Sequence, residues 1–310
     1  MRNFSKISLL FWAIVIVNDL CAQQISQPTN FVFNYQIVNP AATGYTNCTE
    51  FKTCHRRQWA GFEGAPINST AMIHARMRPN KNTFQGIGAF VESDQAGAFG
   101  MTALTMNYAF HTRISKGYNL AAGIGVGFSQ YRIDFTKLNF RDSENEQAIT
   151  NSVADYVIPN INMGFWLYRG DRFYGLSIRS LRGSKIDGTQ DSRYNRHYAI
   201  TYGKYIKLNK VYSFRPSFMF RWVKSTRPAL DAQLLMSYKK RFAIGLGVRN
   251  GSGFSAMVKI DLLDQITVWY AYDLSVNKMR YAAYSTHEIS LGIRTCTVLG
   301  KDNGLCAAYD

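Results

Sequence analysis

The chain has no apolar run long enough to cross a bilayer as a helix. Its longest, residues 7–17 (ISLLFWAIVIV), falls well short of the roughly 20 residues that a spanning helix needs. Acidic residues are scarce, 20 against 36 Lys+Arg, for a formal charge of +16. Such a charge invites a nucleic-acid reading, but there is no lysine-rich block, helix-turn-helix pattern or RNP-type strand. Basic charge spread over loops and a polar interior accounts for it, so nucleic acid is not an expected partner. Catalytic motifs are missing too. His55, His74, His111, His197 and His287 fall in no HExxH, and there is no GxSxG elbow or P-loop. Glu63 and Glu92 stand alone, and His287-Glu288 lacks a third partner, so no enzyme, cofactor or metal is expected. With only 18% charged residues, the chain does not read as disordered.

What is present begins with an export signal. Arg2 and Lys6 precede the 7–17 run, and Leu20-Cys21-Ala22 before Gln23 fits cleavage after Ala22. Asn18-Asp19-Leu20 lacks the small residues of a lipidation box, so Cys21 is not read as a lipoprotein cysteine.

Beyond that the chain alternates with period two almost throughout, the signature of strands. Leu120, Ala122, Ile124, Val126 and Phe128 share one face while Gly123, Gly125 and Gly127 share the other. Phe214, Pro216, Phe218, Phe220 and Trp222 oppose Arg215, Ser217, Met219 and Arg221; Ile289, Leu291 and Ile293 oppose Glu288, Ser290, Gly292 and Arg294. A soluble antiparallel sheet would alternate as well. Two features favour a membrane barrel: strands near the 9–11 residues that a tilted strand needs, and a polar side repeatedly carrying Gly, Asn and Arg, as a wet lumen would.

About fourteen strands are expected, near 50–59, 69–77, 85–92, 101–112, 118–131, 158–168, 172–181, 196–206, 211–223, 229–238, 241–249, 253–261, 265–273 and 286–295. The even connections (78–84, 113–117, 169–171, 207–210, 239–240, 262–264) are short; the longest (132–157, 182–195, 274–285) are all odd. Outer-membrane barrels place short turns in the periplasm and long loops outside. A wrong count would scramble that parity. The fold class is therefore an all-β transmembrane antiparallel barrel. Because lipid tolerates no open sheet edge, the first strand should pair with the last. The expected division is a signal peptide at 1–22, a periplasmic entry segment at 23–48, the barrel at 49–296 and a periplasmic tail at 297–310.

Four cysteines follow the cleavage site: Cys48, Cys54, Cys296 and Cys306. An extended 48–54 would hold its sulfurs about 20 Å apart, too far to bridge. Barrel closure brings the start of the first strand toward the end of the last, so Cys48 is expected to pair with Cys296 or Cys306.

Several short motifs occur in order along the chain. They are Asn39-Pro40-Ala41-Ala42-Thr43-Gly44, Arg57-Gln58-Trp59, Gly61 with Gly64-Ala65-Pro66, Ser93-Asp94-Gln95-Ala96-Gly97, Asn107-Tyr108-Ala109-Phe110, Ala271-Tyr272-Asp273-Leu274-Ser275 and Thr286-His287-Glu288-Ile289-Ser290-Leu291. Together they resemble the PorP/SprF family of type IX secretion system membrane proteins, over nearly the whole mature chain. The resemblance implies an integral outer-membrane barrel of the type IX secretion and gliding apparatus, which helps secrete, anchor or present a large surface adhesin. The implied partners are the adhesin's C-terminal domain, periplasmic and motor-linked components, and membrane lipids with lipopolysaccharide. Asn39, Pro40, Gly44, Arg57, Gln58, Trp59, Gly64, Pro66, His287 and Glu288 are the candidate structural or partner contacts. Pro40 and Gly44 are expected to shape a periplasmic entry turn. Trp59 should join an aromatic girdle. Residues 297–310 stand where such barrels usually end on an aromatic residue. Lys137, Arg141, Arg182, Lys185, Arg193 and Arg196 make the outer loops basic, suited to an acidic partner. The alternative is a porin or small-solute channel, preferring anions through a lumen lined by Arg179, Arg215, Arg221 and Arg249.

Overall fold

The computed structural model describes residues 27–46, 48–77, 82–115, 117–137, 153–183, 195–224, 226–263, 265–276 and 285–295. The expected signal peptide and the tail at 297–310 lie outside these residues.

The strands are β1 (Glu50–Arg57), β2 (Ile67–Met77), β3 (Thr83–Ala96), β4 (Phe99–Ser115), β5 (Tyr118–Asp134), β6 (Val153–Arg169), β7 (Arg172–Arg179), β8 (His197–Lys204), β9 (Ile206–Lys207), β10 (Tyr212–Val223), β11 (Ala229–Tyr238), β12 (Phe242–Arg249), β13 (Gly253–Leu263), β14 (Ile266–Ser275) and β15 (Ser285–Arg294). Each is hydrogen-bonded antiparallel to its neighbours, and β8 and β9 share one place beside β10. The result is a closed barrel of fourteen positions. Closure is made by β1 against β15, from Glu50↔Arg294 to Arg57↔His287, the pairing expected from the sequence. Every expected strand is found. The largest differences are at β3 to β6, which run several residues beyond their expected ends.

Alternation sorts the wall into two faces. In β5, Leu120, Ile124, Val126 and Phe128 are exposed, at 36, 39, 49 and 62%, while Ala121 and Ser129 are buried. The same inversion holds in β12, where Ile244 and Leu246 face outward and Ala243 faces in. An apolar band of this extent would aggregate in water and is stable only in lipid. The connections keep the parity read from sequence, with long segments at 135–152, 180–196 and 276–284 on one side. That side is extracellular by the loop-length rule.

The lumen corrects the sequence reading. Residues 29–46, expected as a periplasmic entry segment, are buried inside the barrel. They form a four-residue helix, α1 (Tyr35–Val38), and a 3-10 turn at Pro40–Ala42. The 3-10 turn lies against β4, β5 and β6. This segment occupies the lumen.

Replacing Leu246, central in β12 and two-thirds exposed, by Arg should lower the unfolding free energy in lipid vesicles by about 2–4 kcal/mol. A urea titration showing a change within about 0.5 kcal/mol, as at an ordinary wet surface, would contradict a lipid-facing wall.

Candidate functional site: the plugged lumen

The plug fits because the wall has been cut back to receive it. A Cβ on Gly123 would overlap the backbone of Ala41, one on Gly86 would strike the carbonyl of Thr43, and one on Gly164 would strike Asn39 Oδ1. Gly123 belongs to the Gly-x-Gly-x-Gly of β5, whose alternation therefore reflects close backbone approach as well as small luminal volume. On the plug side, Gly44 has φ +73 and packs against Gly86 Cα and Ala75 O, where any side chain would be strained and crowded.

Several polar plug residues are tied to the barrel, as burial favours. Asn39 accepts from Ala41 N through Oδ1 at 2.9 Å, capping the 3-10 turn, and its Nδ2 donates to Phe165 O (2.9 Å) and Leu176 O (3.2 Å). Pro40 sits at the first position of that turn, where its missing N–H costs nothing. Gln36 Nε2 donates to Ile73 O at 3.1 Å, and Asn107 Nδ2 to Gln36 O at 3.3 Å. His111 Nε2 lies 2.9 Å from Thr43 O and its Nδ1 3.1 Å from Tyr168 Oη; its ring stacks on Phe84 at 4.2 Å. Tyr35 meets the Phe173 ring edge-on at 4.7 Å and Trp166 at 5.1 Å, while Trp166 and Phe173 stack at 4.7 Å. Thus the Asn-Pro-Ala-Ala-x-Gly motif is a staple inside the barrel, and Pro40 and Gly44 do not shape a periplasmic turn.

The outer end of the plug is held by charge. Glu288 accepts from the backbone N–H of Thr29 at 2.6 Å and of Asn30 at 3.1 Å. Arg56 Nη2 donates to Asp273 at 2.8 Å, and its Nε lies 3.6 Å from Glu288. Thr29 Oγ1 donates to the same Asp273 carboxylate at 2.6 Å, and Gln233 donates to Thr29 O. Arg249 donates to Pro28 O at 3.1 Å while pairing with Asp231 at 2.6 Å, and Arg221 pairs with that Asp231 at 2.6 Å. Charge-assisted bonds of this kind, shielded from water, are the strong ones.

The luminal arginines expected to attract anions are thereby occupied. Arg221 and Arg249 share Asp231, Arg179 is 3.0 Å from Glu92, and Arg215 lies over the Tyr205 ring at 5.7 Å. Deeper in the lumen, Glu50 bonds Lys52 at 2.7 Å and His74 at 3.1 Å, with Lys52 over the Phe33 ring. Among the described residues, no group of three or more His, Cys, Asp and Glu is placed to hold a metal.

The remaining candidates scatter. Gln58 Oε1 accepts from Arg56 at 3.4 Å, and Gln58 N donates to Pro66 O at 2.9 Å. Trp59 adopts φ 53, is half-buried, and donates its N–H to Thr286 Oγ1 at 3.1 Å. Gly64, at φ 71, accepts from Gly97 N at 3.0 Å, tying two outer turns together. Arg57 and His287 are register partners on the outward face, away from the plug. Arg56, Asp273 and Gln233 escaped notice in the sequence, although Arg56 and Asp273 lie inside or beside the motifs. The usable signal was parity: Arg56 is on the Glu50, Lys52 and Cys54 face and Arg57 on the other. Cys54 is free and buried. Cys48 is disulfide-bonded, with its partner outside the described residues, as are Cys296 and Cys306. Thr49 and Thr295 exchange hydrogen bonds of 3.2 and 3.0 Å beside it.

The sequence-family model for type IX secretion system membrane protein PorP/SprF matches residues 20–293, which contain both the plug and nearly the whole wall. This chain belongs to the PorP/SprF family. No curated protein matches it. Among solved structures it is similar to a mutant of the monoaromatic hydrocarbon channel TodX, with TM-score 0.51 and 10% identity over 83% of this chain and 92% of that one. It is also similar to the toluene transporter TodX of Pseudomonas putida, with TM-score 0.50 and 9% identity over 86% and 92%. At such identities the likeness is one of fold. Family and fold together place the protein in the outer membrane.

Substituting Glu288 by Gln keeps its shape and removes the charge that receives Thr29, Asn30 and Arg56. Urea unfolding of the lipid-reconstituted protein should show a loss of about 1.5–3 kcal/mol, the worth of a hydrogen bond to a charged group. A loss under about 0.5 kcal/mol, typical of a surface site, would remove this cluster from the account. Gly123→Val should leave the barrel folded, as shown by an unchanged heat-dependent gel mobility, while exposing residues 29–46 to protease; a plug still protected would refute the close fit.

Proposed function

We propose that this PorP/SprF protein is a non-enzymatic docking barrel, which anchors or presents a large secreted adhesin at the cell surface through its extracellular side. The observation that carries the reading is the occupied lumen. A barrel filled by its own N-terminal segment, with its luminal arginines already paired, is a poor conduit and a rigid support. The work is then left to the outer rim. Of the basic loop residues, Lys137 pairs with Asp134 at 3.7 Å and Arg196 donates to Leu181 O at 2.8 Å; Arg182 is exposed at the same rim, and Arg141, Lys185 and Arg193 lie outside the described residues. An acidic C-terminal domain of the adhesin suits this side. Periplasmic and motor-linked components of the secretion system would meet the short turns opposite.

The filled lumen disfavours the anion-channel alternative. Deletion of the gene should remove one large protein from the cell surface, and that protein should co-purify with the barrel. In planar bilayers the purified barrel should give no stable conductance. Stable anion-selective channels, with no surface protein lost, would overturn the docking reading in favour of a porin.

A further inference from the structure

The outward face of the seam carries a group of hydrogen-bond donors that the plug does not use. In β1, His55 and Arg57 alternate with the luminal residues and point outward, both exposed. His287 of β15 lies directly across from Arg57, and Ser69 of β2 across from His55. His55 Nδ1 is 2.9 Å from Ser69 Oγ, and His287 Nδ1 is 2.8 Å from Tyr270 Oη. Where those hydroxyls donate, each imidazole carries its proton on Nε2, turned away from the bond just described. Tyr272 packs edge-on against His287 at 5.3 Å, fixing the ring.

Arg57 has no ion pair or hydrogen-bond partner among the described residues. Other outward arginines at strand ends do: Arg172 lies 2.6 Å from Asp171, and Arg169 reaches the same carboxylate at 4.0 Å and the Tyr118 ring at 5.6 Å. The outward positions of β14, β15, β1 and β2 hold no Asp or Glu. Glu63 in the adjoining 58–66 turn is exposed and not bonded to Arg57. A guanidinium flanked by two imidazoles, with no acid nearby, calls for an anion.

Its depth says which anion. Arg57 is the last residue of β1 on the extracellular side, and Tyr270 and Tyr272 of β14 contact its register partner His287. Aromatic side chains of this kind mark the membrane–water interface. Apolar Phe51, Ile73 and Ile289 lie below on the same face. A ligand here would keep acyl chains against these apolar residues and its charged group against Arg57. We propose that His55, Arg57 and His287 form a binding site for the phosphate group of an anionic outer-leaflet lipid. The planar guanidinium gives two parallel donors to phosphate oxygens, and the two imidazole Nε2–H groups supply the rest. No bond is made or broken. The inference rests on membrane placement and not on the docking role.

Native mass spectrometry of the full-length, detergent-purified protein tests it. The probes are diphosphoryl lipid A, the same lipid stripped of phosphate, and inorganic phosphate. The protein should retain one diphosphoryl lipid A against dilution and release the dephosphorylated lipid; equal retention of both would overturn the proposal without need of any variant. R57Q, confirmed as folded by its heat-dependent gel mobility, should lower retention about tenfold, the consequence of losing one hydrogen bond to a charged group. R57K should recover part of it. Unchanged retention in R57Q would place the lipid elsewhere, and displacement by millimolar inorganic phosphate would mean that the site takes the free ion and not the lipid.

Discussion

A polypeptide in lipid has no water to satisfy its backbone, so every strand edge must be paired. The β1–β15 ladder meets that demand here, and much else follows from it. Closing the sheet puts Arg56 and Glu288 on adjacent strands of the same luminal face and brings Asp273 of β14 within reach. The residues that latch the plug are thus the residues that close the wall. The plug leaves the lumen at the periplasmic end and runs through Cys48 into β1, so the first strand is continuous with the segment that it helps to hold.

The interior solves a second problem. A fourteen-strand barrel encloses more space than its own small luminal side chains can fill. Residues 29–46 occupy it, with aromatic packing of Phe31, Phe33, Tyr35 and Tyr45 against Trp166, Phe173 and Trp269. Polar groups of Thr29, Asn30, Gln36, Asn39 and Thr43 bond wall groups. Selection for this fit explains why motif residues so far apart in sequence as Asn39 and Glu288 act on one segment. It also shifts the weight of the functional reading from transport through the barrel to attachment upon it.

The wall was legible in the sequence because lipid imposes a simple rule on it. Alternation reveals each strand, connection parity supports the count, and the pairing of the first strand with the last follows from closure. The plug was not legible. Residues 27–46 have no period, and buried Thr29, Asn30, Gln36, Asn39 and Thr43 read as a polar linker when their wall partners, more than thirty to over two hundred positions away in the chain, are out of view. Luminal glycines such as Gly86 and Gly123 were compatible with water or with a close backbone, and only the fold decides between them. The motif marks Glu288 without revealing its task, and Arg56 differs from its outward neighbour Arg57 only in the face that parity assigns it.

Everything above depends on the presence of residues 29–46 inside the folded, membrane-embedded barrel. Hydrogen exchange of the lipid-reconstituted protein, followed by mass spectrometry on peptides from this segment, measures that. Protection comparable to that of the neighbouring strands β5 and β6 is the predicted result. Exchange as fast as that of the exposed 58–66 turn would mean an unplugged lumen and would contradict it.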